Sequence, residues 1–136
     1  MLNRKSIVLI EDDKVDIMVF KKCLKDLEIN NPLLIFKNGE EFFNSPKEFF
    51  VNSIGIIFLD LNTPKFNGFD FLKKIQLEQK YYTIPIIIVS TSKDENDVMQ
   101  AYQSGARGYI HKCSNNKIFA KSLKITFDYW DTQVLL

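Results

Sequence analysis

Cysteine is scarce in this sequence of 136 residues, and the two that occur, Cys23 and Cys113, form neither a C-x-x-C pair nor a zinc-ligand spacing. That usage suits a reducing compartment and argues against a disulfide framework or a structural zinc site. His111 is the sole histidine, which excludes a histidine-built metal cage and leaves a Ser-His-Asp triad without supporting spacing, so it is read as structural. Arginine stands only at positions 4 and 107, and 18 basic against 17 acidic residues leave a net charge of +1. With no global field and few guanidinium groups to grip phosphates or bases, nucleic acid is not expected as a partner. No apolar run approaches the roughly 18 residues of a membrane span. The apolar stretch after Arg4 and Lys5 stops at Ile10 and meets Glu11, Asp12 and Asp13 instead of continuing as a signal-peptide core. The expectation is a cytoplasmic protein with no membrane partner.

Apolar material is plentiful: 46% of residues are hydrophobic, 13% aromatic and 12 are Phe, too much for a disordered chain and enough for one packed core. Short β-branched runs at 6–10, 33–36, 55–59, 85–89 and 108–111 read as buried parallel strands. Between them run helical patterns: Val15, Met18, Val19, Lys22, Cys23 and Leu27 in the first, and Val98, Met99, Ala101 and Tyr102 in the fourth. The last carries Phe119, Leu123, Phe127, Trp130 and Val134 on one side. The aromatic stretch 40–50 reads as a short second helix broken at Pro46, Gly105 as the end of the fourth helix, and Asn115 or Asn116 as the start of the fifth. Strict alternation of strand and helix predicts an α/β fold, a doubly wound five-stranded parallel sheet with helices on both faces.

In such a sheet, ligands bind beyond the carboxyl ends of the strands. The residues that follow the strands are Glu11, Asp12 and Asp13, then Asp60, Ser90 and Lys112. Crowded carboxylates repel one another, and a hard divalent cation such as Mg2+, which prefers oxygen ligands, is the simplest compensation. A cation there would in turn attract a phosphoryl group. Asp13, three residues before Asp16, has the look of a helix cap, so Glu11 and Asp12 are assigned to the metal.

The apolar run ending in Glu11-Asp12, Leu59-Asp60-Leu-Asn62-Thr-Pro64 with Gly68, Val89-Ser90, and Tyr109-Ile-His-Lys112 together resemble the receiver domain of two-component response regulators. The resemblance covers nearly the whole chain, and its signatures fall in order at the ends of successive strands. It implies a CheY-like, flavodoxin-like (βα)5 fold over residues 1–136, a single receiver domain with no effector. It implies that Asp60 accepts a phosphoryl group from a sensor histidine kinase or a phosphotransfer protein. It also implies Mg2+ held by Asp12, Asp60, the Asn62 carbonyl and waters, one of them oriented by Glu11. Lys112 and Ser90 would contact phosphoryl oxygens, and Ser90 and Tyr109 would form the switch that remodels a surface for a downstream protein. Thr91 is the alternative switch hydroxyl if the strand is shifted by one.

Two features depart from the family pattern. Cys113 stands where Pro usually follows the lysine through a cis bond, and because a non-proline cis bond costs about 2.5–4 kcal/mol, a trans bond and a differently shaped loop are expected. No residues remain for an effector, so output is expected through protein contact or onward phosphotransfer. The stretch 76–83 and the Trp of the last helix are similar to single-domain regulators paired with bacterial phytochromes, which suggests a photoreceptor kinase upstream. CheY and phosphorelay intermediates serve equally as templates. The apolar residues 134–136 dock either on the protein or on a second copy, so a homodimer stays open. Rival functions fit less well. A haloacid-dehalogenase phosphatase needs a second Asp where Asn62 stands, and an FMN protein needs a phosphate loop where three carboxylates stand. A non-phosphorylated adaptor on the same fold is the main alternative. The chain is therefore read as a self-phosphorylating signalling protein rather than an enzyme for external substrates.

Overall fold

A computed structural model describes residues 4–45 and 51–133. Strands β1 (Ser6–Ile10), β2 (Leu33–Phe36), β3 (Ile54–Leu59), β4 (Ile86–Ser90) and β5 (Gly108–His111) alternate with helices α1 (Lys14–Asp26), α2 (Gly39–Phe43), α3 (Gly68–Ile75), α4 (Glu95–Gln103) and α5 (Asn116–Asp131). The strands form one parallel sheet in the order β2-β1-β3-β4-β5, the flavodoxin-like, doubly wound order expected.

Side chains alternate across the sheet and build two cores. Ile7 and Leu9 of β1 join Phe20, Cys23 and Leu24 of α1 and Phe119, Leu123 and Phe127 of α5. Val8 and Ile10 face the other way, into Phe42, Phe43, Phe71, Leu72 and Ala101 on α2, α3 and α4. All six residues of β3 are buried, as a central strand covered on both faces requires. Rings fill much of the second core. Phe42 meets Phe36, Phe43 and Phe71 edge-on at centroid distances of 5.4, 5.3 and 5.3 Å.

Helix ends follow local chemistry. The Asp13 carboxylate accepts from the Asp16 N–H and caps α1, and Asn115 caps α5 by accepting from Lys117 and Ile118. Gly105, at φ 101°, turns the chain out of α4 in the left-handed region. The break expected at Pro46 and the apolar residues 134–136 lie outside the described residues.

Three expectations need correction. Val15 and Met18 point outward at 67% and 68% exposure, because α1 rotates to bury the larger Phe20, whose ring packs edge-on against Phe58 at 5.1 Å. On α4 only Ala101 is buried, whereas Met99 and Tyr102 are exposed. Those apolar positions span too wide an arc to face inward together, and the small Ala101 is the one that packs into the core. Ser90 is the last residue of β4 rather than the first beyond it.

Candidate functional site at the carboxyl edge of the sheet

The sheet ladder continues one step past the strand ends and fixes the site. The Glu11 N–H donates to the Phe36 carbonyl at 2.9 Å, the Asp60 N–H to Ile10 at 3.0 Å and the Lys112 N–H to Ser90 at 2.7 Å. The three loop starts are thereby fixed at one edge of the sheet, with β4 lying between those of Asp60 and Lys112. Carboxylate oxygens of Glu11, Asp12 and Asp60 lie within 4.8 Å of one another, Asp12 exposed to solvent and the other two buried at 2% and 6% exposure. Two buried carboxylates and a third at the mouth form a hard oxygen donor set, and these residues fit a divalent cation.

Lys112 is the cation at this site. Its ammonium donates to Glu11 Oε1 at 2.5 Å and to Asp16 Oδ2 at 2.9 Å, and stands 3.7 Å from Asp60 Oδ1. Burial would lower its pKa, but the hydrogen bonds to Glu11 and Asp16 and the charges of Asp60 and Glu11 overcome that and raise it. Glu11 goes the other way for a carboxylate: burial, opposed by the Lys112 hydrogen bond and reinforced by Asp60, pushes it up from 4.5 to about 7. Its Oε2 accepts from the N–H groups of Asp12 and Asp13 at 3.2 and 3.3 Å.

The loop after β3 wraps around Asp60. The Asn62 N–H donates to Asp60 Oδ1 at 3.2 Å, and Thr63 Oγ1 donates to the Phe66 carbonyl at 2.7 Å. Gly68 closes the loop by donating to the Leu61 carbonyl at 3.1 Å. A Cβ at Gly68 would come within 2.8 Å of Leu61 Cα and 2.9 Å of the Asp60 carbonyl oxygen, so the close approach requires glycine.

Ser90 and Tyr109 meet through Ser92. Fully buried Ser90 accepts on Oγ from the Ser92 N–H at 3.1 Å, and the half-buried Tyr109 donates its hydroxyl to the Ser92 carbonyl at 3.0 Å. Ser92 Oγ in turn donates to Asp97 of α4 at 2.7 Å. Thr91, the alternative to Ser90, is exposed, and its carbonyl lies 3.1 Å from His111 Nε2. The Lys112–Cys113 bond is trans, as expected without proline, and Cys113 Sγ donates to the Asn115 carbonyl at 3.2 Å.

Glu11, Asp12, Asp60 and Lys112 are thus brought together as the sequence predicted, with Asn62 bonded to Asp60. Asp16 was missed as a site residue. Its place in the first turn of α1 masked a second role, because its partner Lys112 stands 96 positions away in the sequence.

The sequence matches the family described as response regulator receiver domain over residues 7–124. It is 30% identical to response regulator Rcp1 of Synechocystis sp. over 97% of this chain and 92% of that one. Among solved structures it is similar to the Mn(2+)-bound form of Rcp1, with a TM-score of 0.82, 30% identity, and coverage of 97% of this chain and 99% of that one. The phosphorylated cyanobacterial phytochrome response regulator RcpA gives a TM-score of 0.84 at 26% identity, covering 96% of this chain and 97% of that one.

Proposed function

The chain belongs to the response regulator receiver family, and on that premise we propose that Asp60 is a phosphoryl acceptor and that Mg2+ supports the transfer. The observation that carries this reading is the convergence of Glu11, Asp12 and Asp60 beside the Lys112 ammonium on one sheet edge. An Asp60 carboxylate oxygen attacks phosphorus, the new O–P bond forms as the N–P bond of a phosphohistidine breaks, and the electron pair stays on the departing imidazole. The Asn62 N–H holds Asp60 Oδ1 and so orients the nucleophile. Lys112, kept protonated by its carboxylate neighbours, supplies positive charge 3.7 Å from Asp60. Glu11, Asp12, Asp60 and the Asn62 carbonyl would hold the cation, which when bound draws negative charge from the phosphoryl oxygens.

Ser90 and Tyr109 are the proposed switch. A phosphoryl oxygen recruits the Ser90 hydroxyl, and the shared Ser92 carries the change to Tyr109 and to Asp97 of α4. The receiver is proposed to act through residues 1–136 as one unit, altering a surface that a downstream protein reads. Similarity to Rcp1 and RcpA along nearly the whole chain supports a phytochrome-like histidine kinase as the upstream partner, with a phosphotransfer protein as the other source. A cytoplasmic location, suggested by the two free cysteines, belongs to the same reading.

Intact-mass spectrometry of wild type and Asp60→Asn after incubation with acetyl phosphate, with Mg2+ or with chelator, tests the chemistry. One phosphoryl group gained only by wild type in Mg2+ is the expected result. No gain from acetyl phosphate or from candidate kinases, in folded protein, would replace it with the adaptor reading.

A further inference from the structure

Asp16 is not among the residues that phosphoryl acceptance requires, yet it bonds the lysine on which that acceptance depends. The Lys112 ammonium lies within hydrogen-bond distance of Asp16 Oδ2, at 2.9 Å, and only within Coulombic reach of Asp60 Oδ1, at 3.7 Å. The lysine leans towards α1, and Asp16 and Glu11 hold it there. Capping of α1 does not require the Asp16 side chain, because the Asp13 carboxylate is the cap and Asp16 contributes its backbone N–H. Asp16 and Lys112 also line a cleft between α1 and α5 together with Val19, Asn116 and Phe119, so the lysine stem borders open space rather than packed core.

We propose that Asp16 is a positioning residue that seats Lys112 against α1 in competition with the phosphoryl group on Asp60. The inference rests on the phosphoacceptor reading and adds to it a control on how readily the site takes up its phosphoryl group. A phosphorylated Asp60 presents more negative charge than the free carboxylate, and Lys112 has to leave the Asp16 oxygen to reach it. Asp16 therefore lowers the affinity of the site for a phosphoryl group, and its release from Lys112 reports the state of Asp60 to the first turn of α1.

Beryllofluoride with Mg2+ mimics a carboxylate-bound phosphoryl group without any transfer step, and its affinity is read by fluorine NMR titration. Asp16→Asn is expected to bind it about fivefold more tightly than wild type, the effect of removing one partly exposed ion pair. Asp16→Glu, which retains the charge, is expected to return to the wild-type value. A residue that merely stabilised the start of the helix would shift the melting temperature and leave this affinity unmoved. Equal or weaker binding by Asp16→Asn would overturn the proposal while leaving phosphoryl acceptance intact. Wild type that takes up no beryllofluoride, or Asp60→Asn that takes up as much as wild type, would remove the phosphoacceptor reading and this proposal with it.

Discussion

The hydroxyl of Tyr109 donates to the main-chain carbonyl of Ser92 at 3.0 Å, tying a ring on β5 to the loop after β4. Tyr109→Phe removes that bond and leaves the ring. A loss of about 0.5–1.5 kcal/mol in stability is expected from urea unfolding. Faster amide hydrogen exchange should be confined to residues 91–94, and an unchanged exchange pattern there would show that Tyr109 does not hold the loop.

Asp60→Asn removes one of three crowded carboxylates and, with it, one cause of the raised Glu11 pKa. Without divalent cation the variant should be more stable than wild type by about 1 kcal/mol, roughly the equivalent of one pKa unit of repulsion. In excess Mg2+ the order should narrow or reverse, because the variant binds the cation more weakly. Calorimetric melting with and without Mg2+ distinguishes this from a simple packing gain, which would persist in both.

Glu11 sets a pH dependence whose sign is fixed. Its folded-state pKa is raised to about 7, so the folded protein keeps a proton that the unfolded chain has released. The stabilising contribution is complete below the ordinary value of 4.5 and is lost as pH rises through about 7. Asp12, Asp60 and Lys112 face the same carboxyl, and Mg2+ competes for it, so Mg2+ affinity should climb between those limits and level off above them. Glu11→Gln should flatten the curve in a titration of Mg2+ binding against pH.

Tyr81 has a buried hydroxyl with no hydrogen-bond partner among the described residues. Tyr81→Phe should therefore stabilise the protein by about 1 kcal/mol, the cost of burying an unpaired polar group. Burial, helped by Glu78, pushes the Tyr81 pKa up from 10.0 to about 12. Its contribution is present below pH 10 and lost as pH rises through the folded value. The phenylalanine variant should lose less stability than wild type in alkaline unfolding experiments.

Gly68→Ala places a methyl group against Leu61 Cα and the Asp60 carbonyl, both backbone atoms with little room to yield. A loss of about 1–3 kcal/mol is expected from that overpacking. Phosphorylation or beryllofluoride uptake should fall more steeply than stability does, because the strain lands on the residue proposed to accept the phosphoryl group.

Much of this was legible because the sheet repeats a simple rule. The β-branched runs of β1, β3 and β4 are buried on both faces, so their ends could be read to within a residue, and Glu11, Asp60 and Ser90 followed from those ends, with Lys112 following the shorter β5. Helix orientation was less legible. Val15 and Met18 on α1 and Met99 and Tyr102 on α4 are apolar at helical spacing, but the inward face was chosen by the bulk of Phe20 and the smallness of Ala101. Periodicity alone does not rank such competitors. The Asp16–Lys112 bond joins residues 96 positions apart, and neither sits in a motif that announces the other. Asp16 had a sufficient local explanation in the capped turn, and only three-dimensional placement revealed its partner.

The sheet also gives the site two separate outlets. Lys112 reaches Asp16 on α1, among the helices of one layer, while Ser92 connects Ser90 and Tyr109 to Asp97 on α4, in the other. A wall of backbone lies between them. A change at Lys112 is therefore felt among the helices of one layer and a change at Ser90 among those of the other.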